Sequence, residues 1–133
     1  MKRKILSKLI EWKNKKNRKP LIVNGARQVG KTYILKEFGS HYYEKMAYVN
    51  CDKNKTLDKI FSQDYNISRI LLSLSAILHV NIEPENTLII FDEIQENPTV
   101  LNSLKYFCED ASQYHVAVAG SLLGISLHRD TSF

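Results

Sequence analysis

Residues 25–32 combine two glycines, a lysine and a threonine at a spacing that suits phosphate binding. They read Gly-Ala-Arg-Gln-Val-Gly-Lys-Thr, follow the apolar run 21–23 and lead into a helix-like stretch. Glycines let the backbone curl so that successive N–H groups point into one concavity, and a helix N-terminus adds donors for phosphate oxygens. In such a loop Lys31 reaches the β- and γ-phosphates and Thr32 binds Mg²⁺. The alternative is a turn that carries Lys-Thr by chance, which this context disfavours.

We therefore predict a nucleotide-binding Walker A loop. Its residues are Gly25, Ala26, Arg27, Gln28, Val29, Gly30, Lys31, Thr32 and Tyr33.

A second candidate site follows the apolar, β-rich run 87–91, which ends in Asp92 and Glu93. A buried parallel strand is apolar on both faces, and a carboxylate at its C-terminal end can face a metal ion held at a neighbouring phosphate loop. This Walker B pattern predicts Asp92 as a Mg²⁺ partner through water. It predicts Glu93 as the general base that activates the attacking water. An acidic pair after a strand is otherwise a solvated loop start or a helix cap.

The elements around these motifs predict a parallel sheet whose carboxyl edge carries the site. Residues 46–50 and 115–119 are further strand candidates, and the second of these is followed by Ser121 at the edge where open α/β sheets bind ligands. Asn97 and Pro98 supply a helix cap and a first-turn proline. The helix that they begin places five apolar residues on one face: Val100, Leu101, Leu104, Phe107 and Cys108.

Three segments together resemble the AAA-type P-loop ATPases, and among them a prokaryotic subgroup in which this domain precedes an uncharacterised C-terminal domain. The segments are residues 20–32, residues 88–95 and residues 119–124. The resemblance implies an α/β P-loop NTPase three-layer sandwich with a parallel sheet of AAA-like strand order, 5-1-4-3-2 when complete. It implies ATP and Mg²⁺ as cofactors.

The resemblance also implies roles for two polar residues. Ser121 falls at the sensor position, where a polar group contacts the γ-phosphate or the attacking water, so that Glu93, Lys31 and Ser121 form the predicted catalytic set. Asn50 resembles a polar residue that in some relatives holds the catalytic glutamate inactive until a partner binds. A turn former at a strand end is the alternative for Asn50.

Relatives of this type carry a fifth core strand beyond the sensor, a lid or further domain, and an arginine finger from a neighbour. Residues 125–133 are too few for a strand and its crossover helix. We therefore expect residues 1–133 to be a single P-loop ATPase domain that is an N-terminal fragment, with the last core strand missing and the phosphate-loop strand left as an open edge.

Charge is concentrated at the N-terminus. Residues 1–20 carry nine Lys and Arg against Glu11 alone, a net charge of +8, whereas the rest of the chain carries −3 and the whole +5. A basic N-terminal helix over residues 1–19 accounts for this pattern, and its apolar side would pack on the core. A solvated basic face is one interpretation of the helix, and contact with nucleic acid or an acidic lipid is the other.

The composition of the chain limits the classes of protein to which it can belong. No run approaches eighteen consecutive apolar residues, which excludes a membrane span, and Glu11, Trp12 and Asn14 interrupt any signal-peptide core. We therefore expect a cytoplasmic location. The two cysteines and the histidines show no metal-ligand spacing, so Thr32 and Asp92 remain the predicted metal ligands.

Two functional hypotheses follow from the motifs. The first is an ATP-binding, Mg²⁺-dependent ATPase that serves as a conformational switch or motor domain of a larger protein, with a protein partner or an oligomer expected. The alternative is a nucleotide-dependent binding module without turnover, or a DNA-associated ATPase that uses the basic N-terminus.

Overall fold

A computed structural model describes residues 2–15, 18–25 and 29–121. In chain order the elements are α1 (Lys2–Lys13), β1 (Leu21–Gly25), α2 (Val29–Tyr42), β2 (Lys45–Asn50), α3 (Lys55–Ser62), α4 (Ile67–Leu78), β3 (Thr87–Asp92), a 3₁₀ helix (Ile94–Glu96), α5 (Pro98–Asp110) and β4 (His115–Ser121).

The four described strands form one parallel sheet in the order β1-β4-β3-β2. The predicted α/β class and the 1-4-3-2 part of the predicted strand order are confirmed. Within the described residues β1 pairs with β4 alone. Residues 122–133 lie outside the described residues, and so does the expectation about a fifth strand.

The two faces of the sheet carry separate apolar clusters. One cluster packs β-sheet residues such as Val49, Ile89 and Val118 against α3, α4 and α5. The other packs Leu88 and Ile90 against α1 and α2. Neighbouring residues of a strand point to opposite faces, and every residue of β3 is buried because helices cover it on both sides. The sheet therefore lies between two layers of helices, which gives the three layers of the sandwich.

Helix α1 ends at Lys13 and is therefore shorter than the predicted range 1–19. The Arg18 guanidinium donates through Nη2 to the carbonyl oxygens of Lys13 and Lys15, at 2.9 and 3.0 Å. The Trp12 indole N–H donates to the Lys19 carbonyl at 2.6 Å. The chain therefore folds back toward β1, while the apolar side of α1 packs on the sheet as predicted.

The predicted helix over 98–108 is confirmed as α5, with Pro98 in its first turn and Asn97 as its N-cap. The Asn97 side chain accepts from the Val100 N–H at 3.2 Å. In the described part of the chain, every helix is too short or too polar to cross a membrane.

Candidate functional site

The carboxyl ends of the four strands lie along one edge of the sheet, and the predicted site residues lie at this edge. Gly25, at the end of β1, is in register with Ser121 at the end of β4. Asn50, at the end of β2, is in register with Asp92 at the end of β3. The parallel arrangement thus brings together residues that are far apart in the chain.

The Walker A segment has the predicted strand–loop–helix context. Gly25 ends β1 and Val29 begins α2, so Gly30 and Lys31 lie in the first turn of the helix. Ala26, Arg27 and Gln28 lie outside the described residues. The phosphate contacts predicted for Lys31 and Ser121 involve side chains outside the described part of the structure and stay predictions.

Thr32 and Asp92, the two predicted metal ligands, meet in the structure. The Thr32 hydroxyl donates to Asp92 Oδ2 at 3.0 Å, although 60 residues separate them in the chain. The Asp92 side chain is buried at 7% exposure, and its other oxygen, Oδ1, accepts from the Glu93 N–H at 2.9 Å. Three contacts, the third from Tyr48, therefore orient this carboxylate.

Tyr48 contributes the third contact, which the sequence analysis did not foresee. Its hydroxyl donates to Asp92 Oδ2 at 2.5 Å, and the Lys36 ammonium lies 4.0 Å from the centre of its ring. Burial raises the pKa of Tyr48, and the hydrogen bond to Asp92 raises it further, which keeps the phenol protonated as a donor. The only sequence signal was an aromatic residue two positions before the end of a strand.

Glu93, the predicted general base, lies just beyond β3 in a left-handed backbone conformation with φ 53°. Its side chain is half-buried, and its Oε1 accepts from the Gln95 amide at 2.8 Å. Gln95 is a second residue that sequence reasoning gave no role. The left-handed turn places the Glu93 N–H on Asp92 and the carboxylate beside Gln95, so the two acids are held in one local unit.

Two other predicted residues make local contacts at this edge. Asn50 is exposed, and its Oδ1 accepts from the Asp52 N–H at 2.9 Å, which is the contact of a turn former. Tyr33 is 52% exposed in α2, and its hydroxyl donates to Glu37 at 2.8 Å.

The donor set at this edge fits Mg²⁺. One hydroxyl and one carboxylate are hard oxygen ligands, and Mg²⁺ in nucleotide sites is typically held by one or two carboxylates together with phosphates and several waters. A threonine hydroxyl can offer its oxygen to a cation while its proton stays on a carboxylate, so the contact between Thr32 and Asp92 is compatible with a bound ion.

Comparison with known proteins supports the fold class. A family model described as an AAA domain matches residues 17–132. No curated protein and no solved structure matches the chain. The match covers most of the chain and includes every strand of the sheet. The chain therefore belongs to this family of AAA domains, which are nucleotide-binding, ATPase-like modules.

Proposed function

We propose that this domain binds ATP with Mg²⁺ and hydrolyses it, as the conformational switch of a larger protein. The observation that carries the proposal is the hydrogen bond between Thr32 and Asp92, at 3.0 Å, at the carboxyl edge of the sheet. It joins the helix that follows the glycine-rich loop to the strand that ends in two acids. This is the pairing that a nucleotide–metal site needs.

Each residue has a defined task in this proposal. Lys31 and the loop N–H groups bind the β- and γ-phosphates, and Thr32 and Asp92 hold Mg²⁺, which neutralises phosphate charge when bound. Glu93 accepts a proton from the attacking water. The water oxygen then bonds to the γ-phosphorus as the bond to the bridging β,γ-oxygen breaks, and ADP leaves.

The pairing of β1 with β4 supports a switch role. Gly25 begins the phosphate loop and is in register with Ser121, the proposed sensor. Loss of the γ-phosphate would remove a ligand that contacts both strand ends. Such a loss is a known way to release neighbouring segments.

A binding module without turnover is the second candidate, and the contact between Gln95 and Glu93 favours it. The Gln95 amide donates to Glu93 Oε1 at 2.8 Å, so this oxygen is engaged by the protein at the point where an attacking water would need it. The two candidates differ in phosphate release, because both bind the nucleotide.

The test combines calorimetric titration with ATP and Mg²⁺ and a steady-state assay of phosphate release. We expect Lys31→Ala to weaken nucleotide affinity by roughly ten- to hundredfold, since a charged hydrogen bond is lost. We expect Glu93→Gln to slow release by about a hundredfold or more while affinity stays within about threefold. Lys59→Ala and Glu109→Gln, which change exposed charges elsewhere, are the matched controls.

The outcomes separate the hypotheses. Equal affinity in the wild-type chain and Lys31→Ala would contradict nucleotide binding at the loop. Normal affinity with no phosphate release, alone or with added partner proteins and DNA, would favour the binding module.

A further inference from the structure

A cavity lies at the edge of the sheet opposite the candidate nucleotide site, where the strands begin. Its volume is about 410 Å³, and it opens between the end of α1, the loop before β3 and the start of β4. His115 begins β4 whereas Ser121 ends it, so the cavity is roughly 20 Å from the candidate nucleotide edge. The cavity is lined by Lys13, Asn14, Lys15, Arg18, Glu85, Ser112, Gln113 and His115.

The lining carries more positive than negative charge. Lys13, Lys15 and Arg18 contribute three cations, and Glu85 contributes one anion. Arg18 is held in place, because its Nη1 donates to the Ser112 carbonyl at 3.0 Å and its Nη2 donates to two carbonyls of the α1 terminus. Its Nε–H is buried and finds no acceptor among the described residues.

His115 adds a second buried nitrogen without a partner in the described part of the chain. The residue is 2% exposed, its Nδ1 lies 2.6 Å from the Tyr43 hydroxyl, and its Nε2 has no hydrogen-bond partner there. Burial, together with the nearby charges of Arg18 and Lys13, lowers the pKa of His115 to about 3, so the ring is neutral at pH 7. Burial raises the pKa of Tyr43, which keeps its hydroxyl protonated.

The contact with Tyr43 is compatible with either tautomer of His115, because a phenol can donate to Nδ1 or accept from it. When the Tyr43 hydroxyl donates to Nδ1, the single ring proton lies on Nε2. Two residues of the lining therefore carry a buried nitrogen without a partner in the described part of the chain, Arg18 Nε and His115 Nε2, and in this tautomer both nitrogens are N–H donors. A buried donor left unsatisfied costs about 1–3 kcal/mol, so a ligand with acceptor oxygens would gain from meeting both.

We propose that this cavity binds a phosphate group. The ammonium groups of Lys13 and Lys15 would pair with its charge, and small movements of the lining would let it accept from the buried Arg18 Nε and from His115 Nε2 in its protonated tautomer. A cavity of about 410 Å³ exceeds the size of one phosphate, which leaves room for the molecule that carries it. A free phosphate and a nucleic-acid phosphodiester share this chemistry, and the test distinguishes them.

Trp12 lies close enough to this site for its fluorescence to report ligand binding. It is the only tryptophan of the chain, its ring centre lies 5.6 Å from that of His115, and Arg18 Cζ lies 5.9 Å from it. The full chain is first saturated with a non-hydrolysable ATP analogue and Mg²⁺, so that the β- and γ-phosphate positions of the nucleotide loop are filled before phosphate is added. Inorganic phosphate, or a short single-stranded DNA, is then titrated at constant ionic strength while Trp12 fluorescence and the His115 Nε2 NMR shift are followed.

Two pairs of variants separate a local effect from net charge. We expect Lys15→Gln to weaken binding roughly three- to fivefold relative to Lys59→Gln, which makes the same charge change on an exposed residue of α3. We expect Glu85→Gln to tighten binding by a similar factor relative to Glu109→Gln, because it removes the one anion of the lining.

A saturable change with inorganic phosphate supports a site for a free phosphate group. A change with DNA alone, sensitive to Glu85→Gln, supports a site for a nucleic-acid phosphate. No saturable change with either probe, or variants that match their controls, would overturn the proposal. The readout does not depend on nucleotide turnover, so it separates from the test of the proposed function.

Discussion

The Asp92 carboxylate receives contacts from three elements of the structure. Thr32 of α2 and Tyr48 of β2 both donate to Oδ2, and the turn after β3 donates to Oδ1. Groups that surround a metal ligand in this way fix its orientation, and their removal typically costs ten- to hundredfold in metal affinity or activity. Tyr48 is therefore a positioning residue for Asp92 in the proposed site.

We expect Tyr48→Phe to raise the Mg²⁺ concentration needed for half-maximal nucleotide binding by about tenfold, because Asp92 loses one orienting contact. Nucleotide affinity in the presence of a metal chelator should not change. Calorimetric titrations over a range of Mg²⁺ concentrations measure both quantities. Tyr42→Phe, at an exposed position in α2, is the control. An unchanged Mg²⁺ midpoint with a stably folded variant would contradict the role of Tyr48.

His115 predicts a loss of stability in mild acid. Its pKa is about 3 in the folded chain against about 6.5 unfolded, so the unfolded state binds the proton first as the pH falls. Stability is full above about pH 6.5 and declines below it. Between pH 7 and pH 5 the free energy of unfolding should fall by up to about 2 kcal/mol. Urea unfolding at pH 7, 6 and 5 measures the loss.

The groups that face His115 define the control for this measurement. Tyr43, Arg18 and Lys13 surround the ring, and neutral replacement by His115→Gln should flatten the pH dependence over this range. The pKa values of Asp64 and Glu83 are lowered by their hydrogen-bond partners. Their contribution is lost only below about pH 4.5, outside the His115 range. An equal slope in both proteins would contradict the prediction.

At this scale the sequence predicted the parts of the site that motifs encode and missed those that depend on packing. Thr32 and Asp92 were paired in advance because each has a fixed place in a motif, and both motifs lie at strand ends. Tyr48 and Gln95 were missed because their roles depend on strand register and side-chain reach. No local pattern in the sequence indicates strand register or side-chain reach.

The segment from β3 to α5 shows how a short element holds the acidic pair. The 3₁₀ helix Ile94–Glu96 follows Glu93 directly, and Asn97 then caps α5. The Asn97 side chain is buried at 4% exposure, and it also donates to Asp58 of α3 at 2.6 Å. One amide therefore links α5, α3 and the turn that carries the site.

We expect Asn97→Ala to lower the free energy of unfolding by about 1–2 kcal/mol, because both the helix cap and the contact with Asp58 are lost. Asn102→Ala, at an exposed position inside α5, should change it by less than about 0.5 kcal/mol. Chemical unfolding of both variants measures the difference. Similar losses in the two variants would mean that Asn97 adds little beyond its backbone.

The ends of the helices show what could be predicted about elements. Asn97 and Pro98 are local signals for the start of α5, so the sequence alone was sufficient to predict where this helix begins. The end of α1 depends on Arg18 and on the Ser112 carbonyl, which is 94 residues away in the chain. The prediction from the local sequence pattern therefore made this helix too long.

The whole molecule is organised by the two apolar clusters on the faces of the sheet. The fold class and the strand order were predictable, because the two nucleotide-binding motifs identify the strands that carry them and the family resemblance gives the order of the strands in the sheet. Which side chains join which cluster follows from alternation once the register is known. The cavity lined by Arg18, Glu85 and His115 was not predictable, since its lining comes from three separate segments.

The two clusters predict independent responses to small core deletions. Ile70 belongs to the α3–α5 side and Ile90 to the α1–α2 side, and both are fully buried. We expect Ile70→Val and Ile90→Val each to cost about 0.5–1.5 kcal/mol, and the double variant to equal their sum within about 0.5 kcal/mol. Urea unfolding of the three variants tests this. A clear departure from additivity would mean that the sheet transmits packing changes between its faces.

The backbone at Glu93 also decides which replacements there are informative. A φ of 53° suits glycine and is tolerated by asparagine and by unbranched side chains, but it strains valine, isoleucine and threonine by about 1–3 kcal/mol. A screen of all amino acids at this position would therefore mix chemical loss with conformational damage. Glutamine, which keeps the shape and removes the charge, is the replacement whose phenotype reports on the carboxylate itself.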